Sequence, residues 1–336
     1  MKRELRRIAT VVSLISVTAI LSACGGSSSN DGGNSSLYTG KTDQATISTQ
    51  SVKDALASVK EVIPSCNATG VTKVVVNDQT NRVLSVIKLA QRTLPPVTAK
   101  RVVKSTALFS PNVPAATTGT CGGTMSFPTY SHNSGTTTVS VKWDNYCTSD
   151  SSGNKTTING TLNAVDAGTP SASGPVTTKL TANIPILSVV EKNAQGVVIA
   201  HEDVALNGFE YVPSSGASIS NLSGTAKFTS FEVKDFQNNK AYKLENVNIS
   251  SSQVGVDTQL SVSGRIFRGT SGYTDLSTDT PIIIDPNKNL KSGAISFTGA
   301  GGHKATLTVV PGTGQTFTVA VDGTAVSGAQ LQCNGL

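Results

Sequence analysis

Two periods run along this chain, and they divide it. Over residues 48–63, Val52, Ala55, Leu56, Val59 and Ile63 recur at helical spacing, with Lys53, Asp54, Lys60 and Glu61 between them. That pattern predicts an amphipathic helix. Ser48 or Thr49 can cap its start, and Pro64 stops it. A second helix is expected from about 80 to 94, with Val83, Leu84, Ile87, Ala90 and Leu94 on one stripe and Pro95-Pro96 at its end. Residues 71–76, VTKVVV, fit a strand or an early turn of helix, and 105–120, rich in Pro, Thr and Ala, read as a connection.

From about residue 121 the period becomes two. Val139, Val141 and Trp143 alternate with polar neighbours, as do Leu260, Val262, Gly264 and Ile266. Ala305, Leu307 and Val309 follow the same rule, and so do Phe317, Val319 and Val321. Turn residues separate these runs at Ser152-Gly153-Asn154, Gln237-Asn238-Asn239, Pro286-Asn287, Pro311-Gly312 and Asp322-Gly323. Ten or more short strands joined by tight turns predict an antiparallel meander with one face buried. The expected class is α+β, mostly antiparallel β: a short N-terminal helical region, then a large curved meander sheet or open barrel. A sheet of that size must curl, split or close. A β-sandwich is the alternative, and no fixed-period repeat argues for a solenoid.

Composition narrows the setting. The chain has 336 residues, 37% hydrophobic, 14% charged and 5% aromatic. A multi-span membrane protein would carry apolar runs of about 20 residues, and a disordered chain would carry more charge and fewer β-branched residues. Scarce charge, replaced by Ser, Thr, Gly and Asn, is the composition of an exported, loop-rich β protein. The N-terminus agrees. Lys2, Arg3, Arg6 and Arg7 precede Ile8–Leu21, an uncharged stretch of 14 residues. That is too short to span a bilayer as a stable helix and right for the apolar segment of a signal peptide.

The stretch ends in Leu21-Ser22-Ala23-Cys24, which resembles the lipobox of bacterial lipoproteins. The resemblance implies cleavage before Cys24, a diacylglycerol on its thiol and acylation of the new N-terminus. Two or three acyl chains hold a protein durably, since each buried CH₂ contributes about 0.8 kcal/mol. Gly25 stands where an Asp commonly retains Gram-negative lipoproteins at the inner membrane, so the resemblance implies the outer membrane. Residues 25–36, GGSSSNDGGNSS, contain no apolar side chain and read as a flexible tether with an r.m.s. span of about 20 Å. The expected organisation is a signal peptide over 1–23, lipidated Cys24 and tether over 24–42, a helical region over 43–110 and a β-rich domain over 111–336. Three further segments are similar to uncharacterised lipoproteins of environmental proteobacteria: YTGKTDQATIS from Tyr38, Cys121-Gly-Gly, and Asn145-Tyr-Cys followed by INGTL from Ile158. That similarity carries no activity and no site residue.

Once the signal peptide is removed, 23 basic and 20 acidic residues remain, a net charge of +3. Their distribution is uneven. Residues 73–104 hold Lys73, Arg82, Lys88, Arg92, Lys100, Arg101 and Lys104 against Asp78 alone. Arg82, Lys88, Arg92, Lys100, Arg101 and Lys104 are the candidate contact surface for anionic lipid or acidic polysaccharide. The same residues also suit a solvated helix face, and no aromatic residue is interleaved to stack on bases, so nucleic acid is not expected. Beyond Cys24 there are four cysteines, an even number in an oxidising compartment, which predicts two disulfides. Cys121 with Cys147 is preferred because the residues between them read as two strands folding back. Cys66 with Cys333 remains.

Candidate chemistry is thin. Gly40-Lys41-Thr42 lacks the Gly that a P-loop requires at 35, where Ser35 stands, and no G-x-S-x-G occurs. His201-Glu202 has no second His at helical spacing. Asp285, Asn287 and Asn289 mimic the start of a calcium loop, but Leu290 occupies its Gly position and Ser296 its Glu position. His132, His201 and His303 read as surface residues, and Trp143 as core. No cofactor or metal is expected. The residues imply a non-enzymatic envelope protein serving binding or assembly, with an unidentified envelope protein as partner. The alternative is a carrier of lipid or lipoprotein in a β-sheet cavity.

Overall fold

A computed structural model describes residues 36–47 and 115–332, apart from 134, 170–175, 215–222, 270, 288 and 313–315. The two expected helices, the 71–76 segment and most of the 43–110 region lie outside the described residues. What is described is β structure with one short 3-10 turn at Ala300–Gly302. The mostly antiparallel β expectation is met.

The strands pair strictly in chain order, each antiparallel to the next, in one open 14-stranded sheet. They begin with β1 (Thr117–Thr118), β2 (Gly122–Asn133), β3 (Thr136–Ser149), β4 (Lys155–Thr169) and β5 (Val176–Lys192). Then come β6 (Val198–Pro213), β7 (Gly224–Asp235), β8 (Lys240–Val254), β9 (Asp257–Arg268) and β10 (Gly272–Ile284). The last four are β11 (Leu290–Thr298), β12 (Lys304–Val309), β13 (Thr316–Val321) and β14 (Thr324–Gln332). A meander needs only short turns, and the Gly-, Asn- and Asp-rich segments named above supply them.

The strands are longer than the short ones expected; β5 has 17 residues. Bulges explain why their length is hidden in the sequence. In β3, Val139, Val141 and Trp143 face the core, but Asn145 takes a left-handed conformation (φ 48°) and the register to β4 shifts there. The phase then moves by one, so that Tyr146 is the next buried side chain. β5 does the same between Ile184 and Leu187. A reader following strict alternation loses each strand at its bulge.

One face of the sheet is the core. Side chains from β2 to β13 meet in a single buried cluster that includes Trp143, Leu180, Phe209, Tyr211, Phe231 and Phe297. Each large side chain fully removed from water contributes roughly 1.5–3 kcal/mol, so this cluster is the main stabilising feature of the sheet. Trp143 is core, as its alternation with valines predicts.

At one end of the sheet, Cys121 and Cys147 form a disulfide with Cα atoms 5.0 Å apart. It joins the start of the β2–β3 hairpin across the Gly122–Cys147 register, as the strand pattern implies. The second of the two glycines after Cys121 has a steric reason. Gly123 sits at φ 67°, and a Cβ there would strike the carbonyl of Asn145.

Candidate functional site

The strands define two rims, and one of them receives the N-terminal segment. Residues 36–47 start on the outer face of β7, cross the ends of β9 to β12 and finish in the core. The sequence assigns 36–42 to the tether, but Leu37 and Tyr38 are buried. The reason is Glu232. Its Oε2 accepts hydrogen bonds from the Leu37 N–H at 2.6 Å, the Tyr38 N–H at 3.1 Å and the Ser36 hydroxyl at 2.7 Å. Three donors converging on one carboxylate oxygen compensate its burial, and charge-assisted bonds of this kind are about twice as strong as neutral ones. Lys243, paired opposite on β8, places its Nζ 3.8 Å from Glu232 Oε1 and 3.0 Å from Glu245.

An aromatic group continues the seat. The Tyr38 ring meets Phe267 edge-on at 5.5 Å, and Phe267 in turn meets Tyr273 at 5.2 Å. Lys243 lies over the Phe267 ring and Arg265 over the Tyr273 ring. Burial pushes the Tyr38 hydroxyl up to about 12, and this hydroxyl donates to the Lys41 carbonyl at 3.0 Å. It therefore stays protonated and keeps that bond across the physiological range. Asp275 bonds Arg265 Nε at 3.1 Å and raises its already high pKa.

Beyond Tyr38 the segment is held by backbone. Lys41 N–H donates to the Gly269 carbonyl, Tyr273 N–H to Asp43, Ala45 N–H to Tyr273 and Ala300 N–H to Ala45, all within 2.7–2.8 Å. Gln44 forms a parallel bridge with Tyr273, and its side-chain amide reaches Asp275 at 3.2 Å. Ile47 joins the core cluster. The segment thus wraps the rim from the outer face to the inner one.

A second concentration of charge lies at the same rim on the core face. Glu191 on β5 and Glu202 on β6 are both buried, 6% and 4% exposed, and Asp150 follows β3 nearby. Burial, then the Glu202 and Asp150 carboxylates, push the Glu191 carboxyl up to about 7. Glu191 Oε1 has no hydrogen-bond partner among the described residues. Among those residues no group of His, Cys, Asp and Glu is arranged to hold a metal ion.

His201, His303 and the calcium-loop mimic have plain surroundings. His201 stacks on Phe236 at 4.2 Å, and His303 Nδ1 lies 2.8 Å from Asp322 Oδ2 on the β13–β14 turn. His132 lies on β2. Asp285 accepts bonds from the Asn289 backbone and side-chain amides at 2.7 and 3.0 Å, closing a turn. These bonds also hold the Asp285 carboxyl below its usual range.

Of the sequence-predicted site residues, Cys121 and Cys147 are brought together. Cys24, Cys66, Cys333, Arg82, Lys88, Arg92, Lys100, Arg101 and Lys104 lie outside the described residues. The Glu232 seat was missed by sequence reasoning. Glu232 stands between Phe231 and Val233, with Ser230 and Lys234 beyond them, so its alternation reads as an ordinary outward-facing position and gives no signal. No helix among the described residues is long and apolar enough to cross a membrane. No protein-family model, curated protein or solved structure matches the chain.

Proposed function

We propose that this chain is a lipid-anchored protein of the bacterial cell envelope, held at the outer membrane through acylated Cys24, whose sheet serves a non-enzymatic binding or assembly role. The observation that carries the proposal is Leu21-Ser22-Ala23-Cys24 behind an uncharged 14-residue stretch. The attachment of the N-terminal segment to the sheet supports it. Ser36 is fastened to Glu232 on the sheet, so the residues between Cys24 and Ser36 are left as a spacer between lipid and fold.

We further infer that the sheet is strongly curved, with the helices expected over 48–63 and 80–94 packed at its concave side or end. Entry of Ile47 into the core supports that direction of travel. A Cys66–Cys333 disulfide would then tie this region to the C-terminus. Arg82, Lys88, Arg92, Lys100, Arg101 and Lys104 would face anionic lipid or polysaccharide, each contributing about 1 kcal/mol near a membrane. Carriage of a lipid in the sheet is the second reading. The continuous cluster of inner side chains from β2 to β13 favours binding or assembly over it.

The test is Cys24→Ala. Labelled palmitate should no longer be incorporated, and the protein should leave the membrane fraction. Unchanged labelling in that variant defeats the proposal. Crosslinking in the native envelope would then identify the partner.

A further inference from the structure

The β5–β6 turn differs from the rest of the sheet surface. Val197, Val198 and Ile199 are 58%, 37% and 46% exposed, three apolar residues in succession. Neighbouring positions on a strand face opposite ways, so exposure of both Val198 and Ile199 means that the hairpin projects past the core and is covered on neither face. The β7–β8 turn stands beside it. Phe236, 41% exposed, donates its N–H to the His201 carbonyl, and Gln237 Nε2 bonds the Val198 carbonyl at 2.8 Å. The two turns are thus fastened into one apolar tip.

The charge around the tip is mostly positive. Lys155 and Lys192, opposite each other on β4 and β5, are exposed. Lys234 lies 4.9 Å over the Phe236 ring, and Lys240 opens β8. Of the acids at this corner Glu191, Glu202 and Asp235 are buried, which leaves Asp150 exposed and Asp203 half-buried opposite Lys234. The apolar side chains lie just inside the polar turn residues Asn193–Gly196, level with Lys192, which pairs with Val198, and this mixture matches the interfacial zone of a bilayer with anionic headgroups.

The position of the tip completes the argument. Ser36 is fixed to Glu232 on β7, and Phe236 opens the turn that follows this strand, four residues on and at most roughly 14 Å away. The spacer from Cys24 to Ser36 has an r.m.s. span of about 20 Å and a fully extended reach of about 40 Å. The rim that carries the tip is therefore within reach of the lipid anchor. Val254 and Val256 are also exposed, but they sit at the far end of β8, about 48 Å along the strand, beside the Asp257–Lys291 ion pair.

We propose that Val197, Val198, Ile199 and Phe236 form a membrane contact that seats this rim against the lipid surface holding the acylated N-terminus. The inference rests on the lipid-anchor reading and adds an orientation to it: the β5–β6 rim faces the bilayer and the Val256 rim faces away.

The full-length acylated chain, reconstituted into phosphatidylcholine–phosphatidylglycerol vesicles with brominated acyl chains, tests it. Val198→Trp and Val256→Trp place reporters at the two rims, and Ile199→Trp repeats the first. All three sites are exposed, so the fold should persist, and native Trp143 is buried in every variant. Quenching by bromine should be at least about two-fold stronger at 198 and 199 than at 256, and stronger with the anionic lipid than with phosphatidylcholine alone. Equal quenching at both rims, zero included, overturns the contact. So does shielding of the 198 reporter without vesicles, which would mean that a second copy covers the tip. Flotation with the vesicles reads the anchor separately. A chain that floats but shows no difference between rims loses only the contact, whereas one that fails to float loses the anchor reading too.

Discussion

Glu232 on β7 and Leu37 are 195 residues apart in sequence, yet the Leu37 N–H donates to Glu232 Oε2 at 2.6 Å. This bond, with those from Ser36 and Tyr38, fixes where the N-terminal segment meets the sheet. Glu232→Ala would leave two buried N–H groups without an acceptor, at a cost of about 1–3 kcal/mol each. The first consequence should be local. In the variant, hydrogen exchange at the Leu37 and Tyr38 amides should accelerate at least tenfold, while the core amides of Phe231 and Val233 change little. Uniform protection across wild type and variant would mean that the segment is held elsewhere.

Tyr38 tests the aromatic half of the same seat. Its ring is 7% exposed and covers Phe267. Tyr38→Phe removes only the bond to the Lys41 carbonyl and should cost about 1 kcal/mol. Tyr38→Ala also removes the ring, and buried aromatic truncations cost about 3–5 kcal/mol where the rest of the structure stays in place. Here the segment can detach, so the loss seen in global unfolding should stop at the free energy that holds 36–47 to the sheet. Urea unfolding with a parallel protease digest at Lys41 separates the two. Early cleavage at Lys41 in Tyr38→Ala, with a nearly unchanged unfolding midpoint, is the expected pattern.

The contrast between β3 and the N-terminal segment shows what the sequence makes legible. Val139, Val141 and Trp143 announce their strand because each buried position is followed by a polar one, and turn residues bound the run. That alternation reports burial of one face, so meander topology follows from it. It fails wherever a bulge shifts the phase, as at Asn145 and between Ile184 and Leu187. It also fails for Leu37 and Tyr38, whose burial depends on a carboxylate nearly two hundred residues away. No local period encodes such a contact. The tip at Val197–Ile199 is hidden for a similar reason: three apolar residues in a row look like core in the sequence, whereas all three are exposed at the end of a hairpin.

The Cys121–Cys147 bond closes a loop over the β2–β3 hairpin with a sequence separation of 26. In the chain-entropy account, a loop of that size restrains the unfolded chain by about 3–4 kcal/mol. The native hairpin keeps its register through twelve cross-strand partners on the β4 side, so loss of the bond should weaken the protein without rearranging it. Cys121→Ser with Cys147→Ser should lower the unfolding midpoint and leave the circular dichroism of the folded state unchanged. Non-reducing peptide mapping of the wild type should yield a Cys121–Cys147 peptide. A Cys121–Cys333 peptide would refute the pairing.

Glu191 sets a dependence on pH whose sign follows from its surroundings. Its carboxyl is buried on the core face, lies opposite Thr156 on β4, and feels the carboxylates of Glu202 and Asp150. The group ionises near 4.5 when free and near 7 in the folded chain. Between those values the folded protein holds a proton that the unfolded chain has released, so stability falls as pH rises through this window. Below 4.5 both states are protonated and the penalty is absent. Above 7 it is complete, at up to about 3 kcal/mol, since each unit of displacement is worth about 1.4 kcal/mol. Glu191→Gln keeps the shape and the hydrogen-bonding capacity but cannot ionise. The variant should match wild type at pH 4 and exceed it by about 1–3 kcal/mol at pH 8 in urea unfolding. Parallel curves for the two proteins from pH 4 to pH 8 would show that Glu191 is not held as a buried acid.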